Sequence, residues 1–170
     1  MVMMEIYQVE SSEHKQHVRE LFWEYLQWAN QKVNETFHVN FDIAAMLEDD
    51  MQTLAKFLPP DGRLLLGEID EQIAGLACMK QLTETSCEIK RMYVRPVFRG
   101  RGVGRALSRR LIDDARQMDY PIIRLDSARF MDAAHALYRS VGFQEIAPYE
   151  GSEIPAEFHQ HWIFMELRLR

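Results

Sequence analysis

Cysteine is scarce in this chain: Cys78 and Cys87 are the only two, and their spacing suits no metal site. With no export signal to place them in an oxidising compartment, they read as small buried thiols. The sequence also lacks any apolar run close to the ~20 residues that cross a bilayer, so no membrane role is expected. The opening MVMMEIYQVE has no basic stretch followed by an apolar one; it reads as a first strand rather than a signal peptide, and the expected location is the cytoplasm. A basic excess is missing too. At a net charge of −6 the chain as a whole has no electrostatic pull toward nucleic acid or anionic lipid. Repeats, low-complexity tracts and linkers are absent, so residues 1–170 are read as one domain, long enough to bury a core without disulfide or metal staples.

What the sequence does contain is periodicity. Hydrophobic residues make up 47% and charged residues 27%, the balance of a folded globular chain rather than a disordered one. After the first strand, Ser11 or Ser12 can cap a helix with Val18, Leu21, Phe22, Tyr25, Leu26, Ala29 and Val33 at helical spacing. Asp42 caps a second helix that the spacing carries to Leu58, where Pro59-Pro60 stops it. Three strand-like runs follow, 63–70, 72–82 and 88–94. A helix then carries Val103, Leu107, Leu111 and Met118 on one face. A strand at 121–127, a short helix at 133–141 and strands at 143–149 and 162–169 complete the chain. Strands followed by βαβ units predict an α/β fold (α+β in its strand mixture): a mixed sheet of six or seven strands with helices on both faces.

Charge is unevenly spread. Seven arginines fall between positions 91 and 110 of an otherwise acidic chain, which suggests a compact anionic ligand. Among them runs RPVFRGRGVGRAL, with glycines at 100, 102 and 104 just before a helix. No Ser, Thr, Asp or Asn stands between Arg95 and Gly104 to cap that helix, so its first N–H groups lack side-chain partners. Glycines let an anion approach the backbone, and the helix dipole favours negative charge at that end. Such a turn is a pyrophosphate cradle. It is not a Walker A loop, because Gly104 is followed by Arg-Ala, and the dinucleotide fingerprint fails at Leu107.

The run Arg99-Gly-Arg-Gly102-Val-Gly104, preceded by EIKRMYVRP and followed by ALYRSVGF at 136–143, resembles the GNAT superfamily of N-acetyltransferases. The resemblance extends over about Arg63 to Phe164 and implies that family's fold and acetyl-CoA as acetyl donor. It implies that main-chain groups of Met92 and Val94 pair with the pantetheine arm. The amides of Arg99, Gly100, Arg101, Gly102, Val103, Gly104 and Arg105 would hold the pyrophosphate, with the side chains of Arg99 and Arg101 nearby. The sheet would splay beside this strand and leave a slot for the acyl-pantetheine. Tyr138 occupies the place of the family's general acid, and the Met92 amide could stabilise an oxyanion. Met131 stands where many members have asparagine, so that polar contact is either lost or replaced, Ser127 being the candidate; Ser127, Met131, Ala134 and Tyr138 itself join the cofactor-binding set that the resemblance implies. Glu88 aligns with a glutamate that serves some members as general base, directly or through water; its other reading is a strand carboxylate paired with Lys90.

The resemblance does not fix the acceptor. The long segment 147–162 carries Glu150, Glu153 and Glu157, which suit a cationic amine, so a small-molecule amine is the expected partner. Lysine or N-terminal acetylation of proteins, and a non-catalytic acyl-CoA-binding module, are the alternatives; nucleic-acid binding through the arginines runs against the overall acidity. His159 and His161 lack a third ligand, so no metal is expected. Trp23, Tyr25 and Trp28 read as helix core or as an acceptor wall. A homodimer is compatible with the family and is not fixed by any residue here.

Overall fold

The computed structural model describes residues 1–169. In chain order these form β1 (Met4–Gln8), α1 (Ser12–Phe37), α2 (Ile43–Gln52), β2 (Arg63–Ile69), β3 (Gln72–Thr83), β4 (Ser86–Val94), α3 (Val103–Gln117), β5 (Ile122–Ala128), α4 (Asp132–Ser140), β6 (Gln144–Ile146) and β7 (Trp162–Arg168). The strands make one seven-stranded sheet among the described residues, in the order β1-β2-β3-β4-β5-β7-β6. Neighbours are antiparallel except β4 and β5, which run parallel and are joined by the α3 crossover.

Period-two alternation in the strands builds a core on each face. On β2, Leu64 and Leu66 meet Val18, Leu21 and Phe22 of α1, while Leu65 and Ile69 meet Val103, Leu107 and Leu111 of α3. The caps are local: the Ser11 hydroxyl accepts from the His14 amide at 3.0 Å, and Asp42 accepts from the Ala45 amide at 3.0 Å. Two elements end earlier than the sequence spacing predicts. The Thr53 hydroxyl donates to the Asp49 carbonyl at 2.7 Å, and the chain tightens into a 3-10 turn at Leu54–Phe57 instead of continuing α2. Beyond Ile146, Pro148 has no N–H for the ladder and Tyr149 turns inward, so β6 has three residues.

The parallel pair comes apart. β4 and β5 are in register only at Ser86–Ile122, Cys87–Ile123 and Glu88–Arg124, whereas β5 stays paired with β7 along its whole length. Just past the last paired residue, Arg91 has φ of 53° and forms a bulge: Cys78 lies opposite Lys90 while Leu76 lies opposite Tyr93, one extra residue on β4. The extra residue twists β4 away from β5.

Candidate functional site

The loop before α3 has the geometry of an anion cradle. Gly102 is the N-cap, with φ of 87° and no side-chain cap, and Gly100 has φ of 78°. The first helical donor is the Ala106 amide, which reaches the Gly102 carbonyl at 3.0 Å; the amides of residues 100–105 have no acceptor among the described residues. The Arg99 amide differs, for it donates to the Pro96 carbonyl at 3.2 Å. Gly104 permits close helix packing, since a Cβ there would come within 3.1 Å of Leu137.

The seven arginines divide by role. Arg91 and Arg95 are tied down, Arg95 to Glu24 at 2.9 Å and to the Ile73 carbonyl at 3.0 Å. Arg110 pairs with Asp114 at 3.2 Å. Arg99, Arg101 and Arg105 stay exposed around the loop, and Arg109 is exposed further along α3. The Arg99 guanidinium lies 5.1 Å from the Trp28 ring and 5.8 Å from that of Tyr93, and its Nε donates to the Val94 carbonyl at 3.0 Å. Arg101 lies over Phe98 at 5.6 Å.

Where β4 and β5 part, a strand edge is open. The Arg95 amide donates to Ala74 of β3 at 2.8 Å, so by alternation the peptide groups of Met92 and Val94 point the other way, toward β5. A cavity of about 370 Å³ opens there and passes through the sheet. On the α3–α4 side it is lined by Ile89, Met92, Leu125, Met131, Ala134 and Tyr138. On the α1–α2 side the lining includes Tyr25, Val33, Phe41, Met46, Ile154 and Trp162.

Tyr138 is 5% exposed, packed 5.7 Å from the Phe143 ring, and its hydroxyl has no hydrogen-bond partner among the described residues. Burial pushes its phenol above the ordinary value, with Tyr25 and Asp126 adding to the effect, so it remains a proton donor at neutral pH. Ser127 also lines the cavity; its hydroxyl is 2.9 Å from His135 Nε2 and directed at Met131 Sδ at 3.4 Å.

Glu88 sits elsewhere. It is 0% exposed and is not part of the cavity lining, which begins at Ile89. The Tyr149 hydroxyl donates to Oε2 at 2.6 Å, while Lys80 and Lys90 lie 3.7 and 3.8 Å from Oε1. Burial raises its pKa against the pull of Lys90 and the Tyr149 hydrogen bond. The charged groups that do reach the cavity are Lys90, Arg91, Asp126 and Glu153. Lys90 is 2.9 Å from Glu153 and 3.8 Å from Asp126; Arg91 contacts Asp50 at 2.8 Å and Glu153 at 2.7 Å. Burial pushes the Glu153 carboxyl up, but Arg91 and Lys90 outweigh it and hold that carboxyl well below the usual range.

Asp50, Asp126 and Tyr149 were not among the sequence candidates. The one available signal was strand alternation, which puts Asp126 on the face opposite Leu125; nothing local marks Asp50 or Tyr149. Of the three helix aromatics, Tyr25 lines the cavity, Trp28 supports Arg99, and Trp23 packs with the α1–α2 core. His159 and His161 lie in a 3-10 turn, against Phe164 at 5.0 Å and Phe37 at 4.1 Å. Among the described residues no group of three or more His, Cys, Asp or Glu could hold a metal, and no helix is long and apolar enough to cross a membrane.

An uncapped glycine-rich helix start beside two parallel strands that part is the architecture of acyl-CoA N-acyltransferase folds. The Acetyltransferase (GNAT) family is matched across residues 4–143, and the chain belongs to that family. It is 36% identical over 101 residues to the IAA acetyltransferase of Azospirillum brasilense, covering 59% of this chain and 64% of that protein. It is 31% identical over 112 residues to the N-acetylaspartate synthetase of Danio rerio, covering 64% and 40%. The chain thus spans less than two thirds of the length of these curated relatives. In fold it is similar to the PaiA N-acetyltransferase of Thermoplasma acidophilum in complex with coenzyme A, with a TM-score of 0.72, 16% identity, and 98% and 99% of the two chains covered.

Proposed function

We propose that this chain transfers the acetyl group of acetyl-CoA to a primary amine of a small molecule, by direct attack within a ternary complex. The observation that carries the proposal is the cavity through the β4–β5 splay, lined by Met92 and Tyr138 on one side and carboxylates on the other, with the free amides of the loop before α3 following β4 in the chain. The residues present fit the donor. The amides of Gly100, Arg101, Gly102, Val103, Gly104 and Arg105 would hold the pyrophosphate, with Arg99 and Arg101 beside it. Met92 and Val94 would pair with the pantetheine arm, after Arg99 releases the Val94 carbonyl. Ser127, Met131 and Ala134 would flank that arm.

Bound there, acetyl-CoA supplies an activated thioester carbonyl. The Met92 amide donates to the carbonyl oxygen as charge develops. Tyr138, kept protonated by burial, gives its proton to the departing thiolate. Glu88, walled off by Tyr149 and Lys90, is assigned a positioning role for Lys90, and the acceptor loses its proton to solvent or to a carboxylate that reaches the cavity. The enclosed acceptor side, bounded by α1, α2 and the 147–162 segment, favours a small molecule over a protein tail. A relative named for making N-acetylaspartate, itself a small N-acetylated compound, supports the same reading.

Calorimetry with acetyl-CoA, followed by thiol release with a panel of amines, tests the proposal. Failure to bind acetyl-CoA defeats it. Tyr138→Phe is expected to lower kcat by about 10²- to 10³-fold, within the range for a lost general acid, while leaving acetyl-CoA affinity in place. A chain that binds acetyl-CoA and turns over no amine is instead a binding module.

A further inference from the structure

We infer that the acceptor is a monocationic amine with an apolar body, its ammonium seated against Asp126 and Glu153 and its body filling the sleeve between α1, α2 and the segment before β7. This rests on the acetyl-transfer reading and names the substrate class of that same site.

The charges decide the polar end. Asp126 lies on β5 two residues past the last residue paired with β4, so it stands at the edge of the slot. Both of its recorded contacts, Ser152 Oγ at 2.9 Å and Lys90 Nζ at 3.8 Å, fall on Oδ2, leaving Oδ1 for a ligand. Glu153 lines the cavity and keeps 40% of its side chain exposed despite its contacts with Lys90 and Arg91. Around this point Asp50, Asp126, Glu153 and Glu88 face three cations, Lys80, Lys90 and Arg91. Apart from Glu88, whose carboxyl burial pushes toward the protonated form, and the part-exposed Lys80 beside it, three carboxylates, Asp50, Asp126 and Glu153, face two cations, Lys90 and Arg91, an excess of one that a single ammonium offsets. Lys90 and Arg91 are each shared between carboxylates, so an acceptor carboxylate meets no unshared cation, whereas an ammonium meets Asp126 Oδ1 and can join Glu153 as a further shared partner.

The lining decides the rest. Beyond the charged groups the acceptor side is mainly apolar, with Leu26, Val33, Phe41, Met46, Ile154 and Trp162 on its walls; the polar Asn30 among them is already bonded to Asn40 and to the Phe41 amide. A second ammonium or a carboxylate pushed among these groups would be desolvated without a partner, at a cost no amine of that kind recovers. Polyamines and acidic amino acids are therefore disfavoured, and an aryl- or alkylamine of a few carbons fits the space left within about 370 Å³ once the thioester end occupies its share.

The experiment uses 2-phenylethylamine, methylamine, spermidine and aspartate as probes. Binding is measured by calorimetry on the CoA-saturated protein and turnover with acetyl-CoA. 2-Phenylethylamine is expected to exceed methylamine in kcat/KM by about 100-fold, since burying several methylene equivalents gains that much. Spermidine and aspartate should bind more weakly than 2-phenylethylamine. Asp126→Asn should raise KM for 2-phenylethylamine by about 10- to 100-fold, the scale of a lost charged hydrogen bond, with acetyl-CoA affinity within about twofold of the parent as the control for folding. Ala29→Leu, which narrows the sleeve, should shrink the preference for 2-phenylethylamine over methylamine. Acetyl-CoA binding with preference for spermidine, aspartate or peptide amines, or with no turnover of any amine, overturns the acceptor class. An unchanged KM in Asp126→Asn also overturns it. Absence of acetyl-CoA binding removes the underlying reading as well, so the two failures are distinguishable.

Discussion

Glu88 has one carboxyl oxygen that accepts the Tyr149 hydroxyl and another with no hydrogen bond, held in a fully buried position between two lysines. Burial raises its folded pKa above the ordinary 4.5, and the sign of the consequence follows. A carboxyl raised on folding favours the native state while it is protonated. That advantage is complete below the unfolded pKa and is lost as pH rises through the folded one. Gln at 88 does not titrate and still accepts from Tyr149. Urea melts of Glu88→Gln and the parent between pH 4.5 and 8 should therefore diverge, with the variant gaining by up to about 1.4 kcal/mol per pH unit within that window. A constant difference across pH would show that the native carboxyl ionises as freely as the unfolded one. Activity separates the roles: a positioning residue costs less than about tenfold in kcat/KM and leaves the pH-rate profile in place, whereas a lost general base costs about 10²-fold or more. The Glu88–Lys90 pairing was legible in the sequence because residues two apart on a strand share a face. Its isolation from the cavity was not, because Tyr149 arrives from 61 residues away.

At the scale of elements, α3 and its loop were the most legible part of the chain, since everything that makes them a cradle is local. The glycines, the missing cap and the apolar face of Val103, Leu107 and Leu111 all stand within a few turns of one another. Gly102 makes the point testable. Its φ of 87° is a left-handed conformation that an L side chain enters at a cost of about 1–2 kcal/mol, while space is no obstacle: a Cβ there would meet nothing nearer than 4.0 Å. Gly102→Ala should therefore lose roughly that much stability or displace the loop, and acetyl-CoA affinity should fall about tenfold as the amides move. Full affinity and stability in the variant would remove the loop's conformation from the account of binding. The β4 bulge is the opposite case. Arginine at φ of 53° has no local signature, so the splay it produces could be anticipated only from the resemblance and not from the residues.

Across the molecule, Arg91 joins three parts that are far apart in the chain: the β4 bulge, Asp50 at the end of α2, and Glu153 in the segment before β7. Of the three glutamates in segment 147–162, Glu153 lines the cavity, while Glu150 and Glu157 do not. The two carboxylates differ in surroundings. Asp50 is 3% exposed, so removing Arg91 strands a buried charge, whereas Glu153 can be solvated by the cavity and contributes little by itself. Arg91→Met should accordingly cost about 3–5 kcal/mol in urea unfolding, the scale for breaking a buried pair from one side. Combining it with Asp50→Leu should recover most of that, because an apolar replacement of both partners removes the unpaired charge. The cluster lies on the α1–α2 face and the glycine-rich loop precedes α3 on the other, so under the proposed acetyl transfer the double variant should retain acetyl-CoA affinity while the amine KM rises. A loss below about 1 kcal/mol in Arg91→Met would mean that Asp50 reaches water or a proton in the native state, and that the ion pair does not fix the acceptor wall.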